Sequence, residues 1–297
     1  MGTTLLIGGT GQVGFELAHA LAPLGPLMAP GRAELDLTRP DSIRTVIQTV
    51  RPDVIVNVGG FTIVDEAETQ ADLAFKLNAE APGIIAECAR SVDALLVHYS
   101  TTFVFDGSKQ GPYTEEDVTS PVNTYGRTKL AGEQAITAVG GHSLILRANW
   151  VYSARRSNFA LAILKAAREK PELTIVNDQT GSPTWARDYA TATATLLGNT
   201  ARLREHPGIY HLCAESHCTR LQWAEKLIAC AKKVSGTDAG WAKLRPTTTA
   251  QYPHIAPRPL NTVTSNRKIR ETFDIRMPAW EERIESFLRT LQRVIRN

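Results

Sequence analysis

Short apolar runs alternate with amphipathic stretches along the first half of the chain. The runs TTLLI (3–7), DVIVNVGG (53–60) and ALLVHYSTTFVF (94–105) predict buried strands, and the amphipathic stretches at 41–50 and 66–90 predict helices before the last two runs. Strands that alternate with helices of this length are typical of a parallel sheet covered by helices on both faces. The pattern therefore predicts an α/β fold with a doubly wound sheet of the Rossmann type.

The alternation loosens beyond Arg147, where proline-containing loops separate isolated helices. We predict a first domain over 1–147 and a smaller second domain over 148–297, some of whose segments return to the first core. Thr219 and Gln222 form a candidate capping box for a helix in the second domain. A terminal helix carries an apolar stripe that we interpret as core, formed by Trp280, Ile284, Phe287, Leu288, Leu291 and Ile295.

Composition narrows the class of protein. The chain has 297 residues, a hydrophobic fraction of 43% and a net charge of +3, which gives no reason to expect nucleic-acid or membrane binding but suits a small anionic ligand. Its 4 cysteines are too scattered for a disulfide framework, and the N-terminus lacks a basic leader. We expect a cytoplasmic protein, and the sequence leaves a homodimer open.

A glycine-rich turn follows the first predicted strand and leads into a helical pattern. Gly8, Gly11 and Gly14 in GGTGQVG allow the backbone to approach a phosphate closely and aim a helix N-terminus at its charge. A strand, a glycine-rich turn and a helix in this order predict a dinucleotide site, so we interpret 1–147 as a dinucleotide-binding Rossmann domain and 148–297 as mainly a substrate-binding domain. A simple tight turn is the alternative.

The second strand, near 27–30, should carry the group that reads the adenosine ribose. An acidic side chain there favours NAD, whereas a basic one accommodates the 2'-phosphate of NADP. The chain has Arg32 at this point and no carboxylate until Glu34. We predict NADPH as the cofactor, with NADH as the alternative if Arg32 is only a solvated loop charge.

Tyr125 and Lys129 are one helical turn apart in a helix that we predict over 121–138, so they share one face. A nearby ammonium stabilises the phenolate and brings proton transfer within reach. The strand before this helix ends in Ser100 and Thr101, where a hydroxyl would help to orient a carbonyl. Together with the glycine turn, these residues favour a catalytic pair over a surface coincidence.

These motifs resemble those of the extended short-chain dehydrogenases/reductases. Longer strings are similar to the dTDP-4-dehydrorhamnose reductase family, namely RPDVIVN (51–57), HYST with VFDG (98–107), YGRTKLAGE (125–133), WVY (150–152), NDQTGSPT (177–184) and RPLNT (258–262). Their joint occurrence is far more specific than any single string. The resemblance implies a reductase that acts on a dTDP-linked keto-deoxy sugar.

The resemblance also implies roles for individual residues. Tyr125 would donate a proton to the C4 ketone, Lys129 would be its electrostatic partner and a ribose ligand, and Thr101 would tune the tyrosine. The sugar nucleotide would contact Trp150 and Thr102. The pyrophosphate, the adenine and the far side of the cofactor would be lined in turn by Gly11, Gln12 and Val13, by Asp36 and Leu37, and by Gly59, Gly60 and Phe61.

The chain departs from the family beside the predicted sugar site. The family usually reads Ser-Thr-Asp-Tyr where this chain reads Ser-Thr-Thr-Phe. Thr102 and Phe103 therefore stand where a carboxylate and a phenol are expected. Two alternatives therefore stay open: a reductase of a different nucleotide-linked 4-keto-6-deoxy sugar, or a non-catalytic NADP-binding regulatory subunit like that of methionine adenosyltransferase. Some members pair through a magnesium ion held by acidic residues, but Arg187 stands in that stretch here, so we predict no metal.

Arg258 is a candidate ligand for a diphosphate. It lies between two prolines, which restrict its loop, and a guanidinium fork suits phosphate oxygens. A surface arginine is the alternative. The segment 211–218 contains histidines and cysteines, but its spacing matches no standard zinc motif.

Overall fold

The computed structural model describes residues 2–252 and 254–296. The strands are β1 (Thr4–Ile7), β2 (Leu27–Met28), β3 (Val54–Asn57), β4 (Leu95–Thr101), β5 (Ser143–Ala148), β6 (Val151–Tyr152), β7 (Glu172–Val176), β8 (Thr180–Gly181), β9 (Thr184–Trp185), β10 (Gly208–His211), β11 (Cys218–Thr219) and β12 (Lys243–Thr247). The α-helices are α1 (Gln12–Leu21), α2 (Pro40–Val50), α3 (Val64–Thr69), α4 (Ala71–Phe75), α5 (Ala81–Ser91), α6 (Thr124–Val139), α7 (Phe159–Glu169), α8 (Ala186–Leu197), α9 (Thr200–Glu205), α10 (Arg220–Ser235), α11 (Arg267–Phe273) and α12 (Ile284–Arg296). Shorter turns are 3-10 helical at Ala22–Leu24, Thr102–Val104, Thr249–Gln251 and Trp280–Arg283, and π-helical at Lys76–Glu80.

Six strands form one parallel sheet in the order β10-β5-β4-β3-β1-β2. The strands β1, β3 and β4 are buried along their whole length, since helices cover both faces of the sheet. This is why they read as continuous apolar runs in the sequence. The arrangement confirms the predicted α/β, doubly wound fold.

The direction of winding reverses at β1. The chain passes from β1 to β2 at the sheet edge and then returns to β3 on the other side of β1. Ile7 is in register with Asn57, and Asn57 with His98, so the carboxyl ends of the central strands lie side by side. In open parallel sheets, the crevice at such a reversal is where ligands bind.

Two hydrophobic cores lie on opposite faces of the sheet. Leu6 and Leu17 belong to one core, together with apolar residues of α8, whereas Leu5, Ile43 and Ile85 belong to the other, beneath α2 and α5. Successive residues of a strand point to opposite faces, which explains why neighbours in β1 enter different cores.

A third core is built by the second half of the chain. Trp223 of α10 packs against Tyr152 and Phe159, and Phe287 of α12 meets Tyr152 edge to face. Two elements from this half nevertheless join the first unit, because β10 pairs with β5 and α8 packs on α1. The second half of the chain therefore contributes both to the third core and, through β10 and α8, to the unit built around the sheet.

The helix predicted over 66–90 is interrupted in the structure. The backbone leaves the helical region at Gln70, which separates α3 from α4, and a π-helical turn then joins α4 to α5. Pro82, near the start of α5, has no backbone N–H for the carbonyl of Asn78. A wider turn at this point accommodates the missing hydrogen bond.

The helix predicted over 121–138 begins three residues later than expected. Asn123 has extended backbone angles, and its side chain accepts a hydrogen bond of 2.8 Å from the Gly126 amide. An asparagine in this position caps a helix, so α6 starts at Thr124. The shift leaves Tyr125 in the first turn and Lys129 in the second.

Two predictions about the C-terminal half have different outcomes. The capping box is confirmed, since Thr219 and Gln222 bond to each other's backbone N–H groups at the start of α10. The apolar stripe is buried core as far as Leu288 and Leu291 packs against it, but Ile295 is 74% exposed, so its assignment to the core was wrong. In the ranges 2–252 and 254–296, no helix combines the length and apolar character that crossing a membrane requires.

Candidate active site

The glycine turn after β1 closes against the turn after β3. Gly8 has a φ of +87°, and a Cβ placed on it would lie 2.6 Å from the amide nitrogen of Gly59. A Cβ on Gly14 would lie 2.1 Å from the carbonyl oxygen of Gly8. Only glycine fits at these two positions, because Gly8 adopts the left-handed conformation and both residues need a bare backbone.

The N-terminus of α1 opens into the same crevice. Gly11 precedes the helix, and no side chain caps the free amides that follow it at Gln12 and Val13. The Gln12 side chain is instead held by the Ser153 hydroxyl at 3.2 Å, which ties the turn to the second half of the chain. Uncapped amides and a bare glycine backbone fit the pyrophosphate of a dinucleotide.

The residues predicted to meet the adenosine lie after β2. Arg32 is exposed, while the Glu34 carboxylate turns back to accept a 2.8 Å hydrogen bond from the Gly31 amide. Asp36 accepts from the amide and the hydroxyl of Thr38, and these hydrogen bonds hold the pKa of its carboxyl below the usual value. The turn thus keeps both carboxylates engaged in local hydrogen bonds and leaves Arg32 free of an ion pair among the described residues.

Leu37 and the double glycine after β3 form the opposite side of the crevice. A Cβ on Gly59 would lie 2.8 Å from a methyl group of Leu37, and one on Gly60 would lie 2.7 Å from Oδ1 of Asn78. The buried Asn78 amide also accepts from the Phe61 amide at 2.8 Å and donates to the Phe61 carbonyl at 2.9 Å. Asn78 therefore fixes the shape of this turn from behind.

Asn78 links the glycine turn to the helix that carries the predicted catalytic pair. Its Nδ2 donates to the Thr128 hydroxyl at 3.1 Å, and a Cβ on Gly132 would meet its carbonyl oxygen at 2.0 Å. This residue was not among the predicted site residues. Its only signal was an asparagine in an otherwise helical stretch, shortly before Pro82.

Lys129 lies beneath α6 and is almost fully buried. Its Nζ donates to the carbonyl oxygen of Tyr99 at 2.6 Å and lies 3.3 Å from Nε2 of His98. Burial lowers the pKa of the ammonium to about 8, and the Glu133 carboxylate opposes this shift. Lys129 is therefore fixed in position and still mostly charged at neutral pH.

His98 connects the lysine to the glycine turn. Its Nδ1 lies 3.1 Å from Nδ2 of Asn57, whose Oδ1 accepts from the Gly59 amide at 3.0 Å. Burial holds the pKa of this imidazole well below its usual value, and the charge of Lys129 adds to the effect. The imidazole is therefore neutral. A polar histidine within a buried strand was the signal for this residue, which was also not predicted as part of the site.

Tyr125 and Thr101 meet at the carboxyl end of β4. Burial raises the pKa of the Tyr125 phenol, and a hydrogen bond with Thr101 opposes the increase. The Thr101 hydroxyl also accepts from the Phe103 amide at 3.2 Å, and the Phe103 ring meets the Tyr125 ring edge to face at 5.9 Å. The structure thus brings the two predicted hydroxyls together and keeps the phenol protonated at neutral pH.

The residues predicted to contact the substrate differ in burial and in hydrogen bonding. Thr102 is fully buried, and its hydroxyl has no hydrogen-bond partner among the described residues. Arg258 forms an ion pair of 2.9 Å with Asp65, and the carbonyl of the preceding Pro257 accepts from Asn123 at 2.8 Å. The arginine loop is therefore attached to the N-terminus of α6, immediately before the candidate catalytic tyrosine.

Trp150 has an unusual backbone. Its φ is +33°, a region that a non-glycine residue occupies only when its surroundings enforce it. Two contacts hold Trp150 in place. The indole packs directly on the backbone of Gly181, where a Cβ would lie 2.5 Å from the ring, and the Thr184 amide donates to the Trp150 carbonyl at 3.2 Å. The indole is thus held rigidly at the junction of the two halves.

Arg187, on which the expectation of no metal rested, is paired. Its Nε lies 2.9 Å from the Glu16 carboxylate, so one acidic side chain does lie in this region. Across the described ranges, no three or more His, Cys, Asp or Glu side chains are grouped in a way that could hold a metal ion.

The fold, the glycine turn and the helix with Tyr125 and Lys129 define the class of protein as the extended short-chain dehydrogenases/reductases. The sequence model of the RmlD substrate binding domain family matches residues 2–293. The chain belongs to this family.

Individual relatives agree with the match. The chain is 40% identical over 292 residues to dTDP-4-dehydrorhamnose reductase from Burkholderia thailandensis, covering 97% of this chain and 98% of that protein. It is 38% identical to the protein of the same name from Escherichia coli K12, covering 97% of each. The crystal structure of dTDP-4-dehydrorhamnose reductase from Bacillus anthracis in complex with NADP matches with a TM-score of 0.90 at 29% identity, over 97% of this chain and 99% of that one. The resemblance found in the sequence is confirmed.

Proposed function

We propose that this protein reduces the C4 ketone of dTDP-4-dehydro-L-rhamnose to dTDP-L-rhamnose, with NADPH as reductant and Tyr125 as proton donor. The observation that carries the proposal is that Tyr125 of α6 meets Thr101 at the carboxyl end of β4, while the buried Lys129 of the same helix donates to the Tyr99 carbonyl in that strand. Relatives that match the chain over nearly its whole length bear the name dTDP-4-dehydrorhamnose reductase, which supports the choice of substrate.

The crevice residues fit a dinucleotide. The backbone of Gly8, Gly11 and Gly14, with the free amides at Gln12 and Val13, would hold the pyrophosphate. When bound, NADPH supplies the hydride for the ketone carbon. The relative from Bacillus anthracis was crystallised with NADP, which favours NADPH over NADH.

The remaining cofactor contacts come from both sides of the crevice. The exposed Arg32 would accept the 2'-phosphate, while Asp36 and Leu37 would flank the adenine. Gly59, Gly60 and Phe61 would line the far side, in a turn whose shape Asn78 fixes, and Lys129 would bind the ribose.

Proton transfer would depend on three side chains. Thr101 and Tyr125 would donate hydrogen bonds to the ketone oxygen and so orient it. Because burial keeps the phenol protonated, Tyr125 can give its proton to the oxygen as negative charge develops there. The Lys129 ammonium would then stabilise the phenolate that remains.

The substrate side would be formed by the second half of the chain. We assign 1–147 to cofactor binding and 148–297 mainly to substrate binding, with β10 and α8 as parts of the sheet unit. Thr102, Trp150 and Arg258 would border the sugar nucleotide. Free cysteines at all four positions suit a reducing cytoplasm.

The direct test is a substrate panel. Purified protein is mixed with NADPH and either dTDP-4-dehydro-L-rhamnose or other nucleotide-linked 4-keto-6-deoxy sugars, while NADPH oxidation is followed and the C4 configuration of the product is determined. We expect the highest kcat/KM with the dTDP-rhamnose precursor. A preference for another sugar would support the sister-reductase alternative, and no oxidation with any sugar would support a regulatory subunit.

A further inference from the structure

Arg220 stands at the start of α10 with its guanidinium over the indole of Trp150. Its Cζ lies 3.5 Å from the centroid of the indole and 4.8 Å from the centroid of the Phe159 ring. A guanidinium that stacks on an aromatic ring is held in one plane, with its N–H groups directed outward along the edges. No motif in the sequence marked this residue.

Arg220 has no counter-ion in the part of the chain that the structure describes. None of the described carboxylates forms an ion pair with it, and its side chain makes no hydrogen bond to the described part of the chain. Its nitrogens are also absent from the buried polar atoms that lack a partner, so they reach open space. Buried or half-buried charges are normally paired, so an unpaired guanidinium in this position indicates a binding function.

A second cation lies close to it. Burial and, to a smaller extent, the nearby charge of Arg258 lower the pKa of Arg220 to about 9. Arg258 differs because Asp65 and the carbonyl oxygen of Ala256 already occupy its fork. Of the two neighbouring arginines, Arg220 is therefore the one with free donors.

The pair of arginines borders the candidate active site. Trp150, beneath Arg220, is held rigidly by Gly181, and the loop of Arg258 is attached through Pro257 to Asn123, two residues before Tyr125. An anion between the two cations would thus lie on the substrate side of the crevice. It would be separated from the glycine turn, which serves the other end of the cofactor.

We propose that Arg220, stacked on Trp150, binds the diphosphate of the nucleotide-sugar substrate, while Arg258 contributes mainly its charge. This proposal rests on the proposed function, since it takes the ligand to be a nucleoside diphosphate sugar. The planar fork matches two phosphate oxygens at once, and binding would relieve the repulsion between the arginines. The sequence analysis named Arg258 as the candidate diphosphate ligand, and this proposal gives the main part to Arg220 instead.

The proposal is tested by the binding of dTDP, which has the diphosphate but no ketone. Isothermal titration compares the wild type with Arg220→Met, which keeps the stem on the indole but has no charge, and with Arg220→Lys. We expect Kd for dTDP to rise by about 10- to 100-fold in Arg220→Met and less in Arg220→Lys. Binding of thymidine, measured by competition, and of NADPH should not change.

Arg168→Met is the matched control. Arg168 also stacks on a tryptophan, with its Cζ 4.4 Å from the Trp241 ring, but it lies outside the crevice. This variant should bind dTDP like the wild type. Unchanged dTDP binding in Arg220→Met, or an equal loss of thymidine and dTDP, would overturn the assignment to the diphosphate.

Two further outcomes separate this proposal from the function it rests on. If Arg220→Met does not fold, Arg220→Lys decides, because it retains charge and volume but not the fork; wild-type affinity there would contradict bidentate binding. If the wild type binds dTDP through Arg220 but turns over no keto sugar, the diphosphate site stands and the reductase proposal fails. Tight binding of inorganic phosphate with equal dependence on Arg220 would show an anion site that does not recognise a nucleotide.

Discussion

On the proposed cofactor side of the crevice the chain presents backbone, whereas on the proposed substrate side it presents side chains held by other side chains. Gly8, Gly14 and Gly59 approach their neighbours so closely that no Cβ fits. Across the crevice, Arg258 is held by Asp65 and Trp150 lies under Arg220. Backbone N–H donors on the first side can bind a group that does not vary, such as a pyrophosphate. On the second side, single substitutions of side chains can change which ligand is bound.

The two sides therefore constrain their ligands to different degrees. A glycine that lacks room for a Cβ marks a close approach of two backbone segments, so the shape of the cofactor crevice follows from geometry. Thr102, which is buried and whose hydroxyl has no partner among the described residues, does not by itself specify one sugar. Substrate choice therefore depends on side chains rather than on the backbone.

The largest effect is expected where backbone meets backbone. Gly14→Ala would place a methyl carbon 2.1 Å from the Gly8 carbonyl oxygen, so the turn must move and NADPH binding should be lost. Fluorescence titration with NADPH measures this directly.

Gly83→Ala is the control for the glycine substitution. Its Cβ would lie 3.2 Å from the Ala135 side chain in the interior of α5, where a small adjustment suffices and alanine favours the helix. Normal NADPH binding by Gly14→Ala would show that the crevice wall is not rigid and would remove the contrast between the two sides.

A smaller effect is expected at the support behind the second glycine turn. Asn78→Ala removes the hydrogen bonds to the Phe61 backbone and leaves a buried donor and acceptor unsatisfied, which costs about 1–3 kcal/mol. We expect a lower free energy of unfolding and weaker NADPH binding, by roughly 10-fold. Thermal unfolding with and without NADPH distinguishes the two effects, and equal losses in both conditions would mean that Asn78 has no part in cofactor binding.

The smallest effect is a dependence of kcat on pH. The Lys129 ammonium has a pKa of about 8, below that of a free lysine, so it is charged at lower pH and loses its charge as the pH rises. Because the charge stabilises the phenolate, kcat should fall above about pH 8, by roughly 10-fold at one unit beyond the pKa.

Lys129→Arg sharpens this prediction. Arginine stays charged throughout the range, so the alkaline decline should disappear even though the overall rate is lower. A decline of unchanged midpoint in this variant would assign the titration to another group.

The parallel sheet and the glycine turn could be predicted because they depend on local pattern. Apolar runs marked β1, β3 and β4, and the spacing of Gly8, Gly11 and Gly14 marked the crevice. The start of α6 was misplaced because its cap, Asn123, lies in a stretch that also suits a helix.

Residues that act through distant contacts could not be predicted. Asn78 is 17 residues from Phe61 and 50 from Thr128 in sequence, and His98 reaches Lys129 across 31 residues. Arg220 meets Trp150 only because α10 packs against the turn after β5. No local pattern marks such pairs, since they arise from tertiary packing.

The most direct test of the central claim is the turnover of Tyr125→Phe beside Tyr152→Phe. Tyr152 is also buried, but its hydroxyl has no partner among the described residues, so its removal should be harmless. With the keto sugar that the wild type reduces best, we predict that Tyr125→Phe lowers kcat by roughly 10²- to 10⁴-fold with unchanged NADPH affinity, while Tyr152→Phe retains activity. A kcat for Tyr125→Phe equal to that of the wild type would contradict the role of Tyr125 as proton donor.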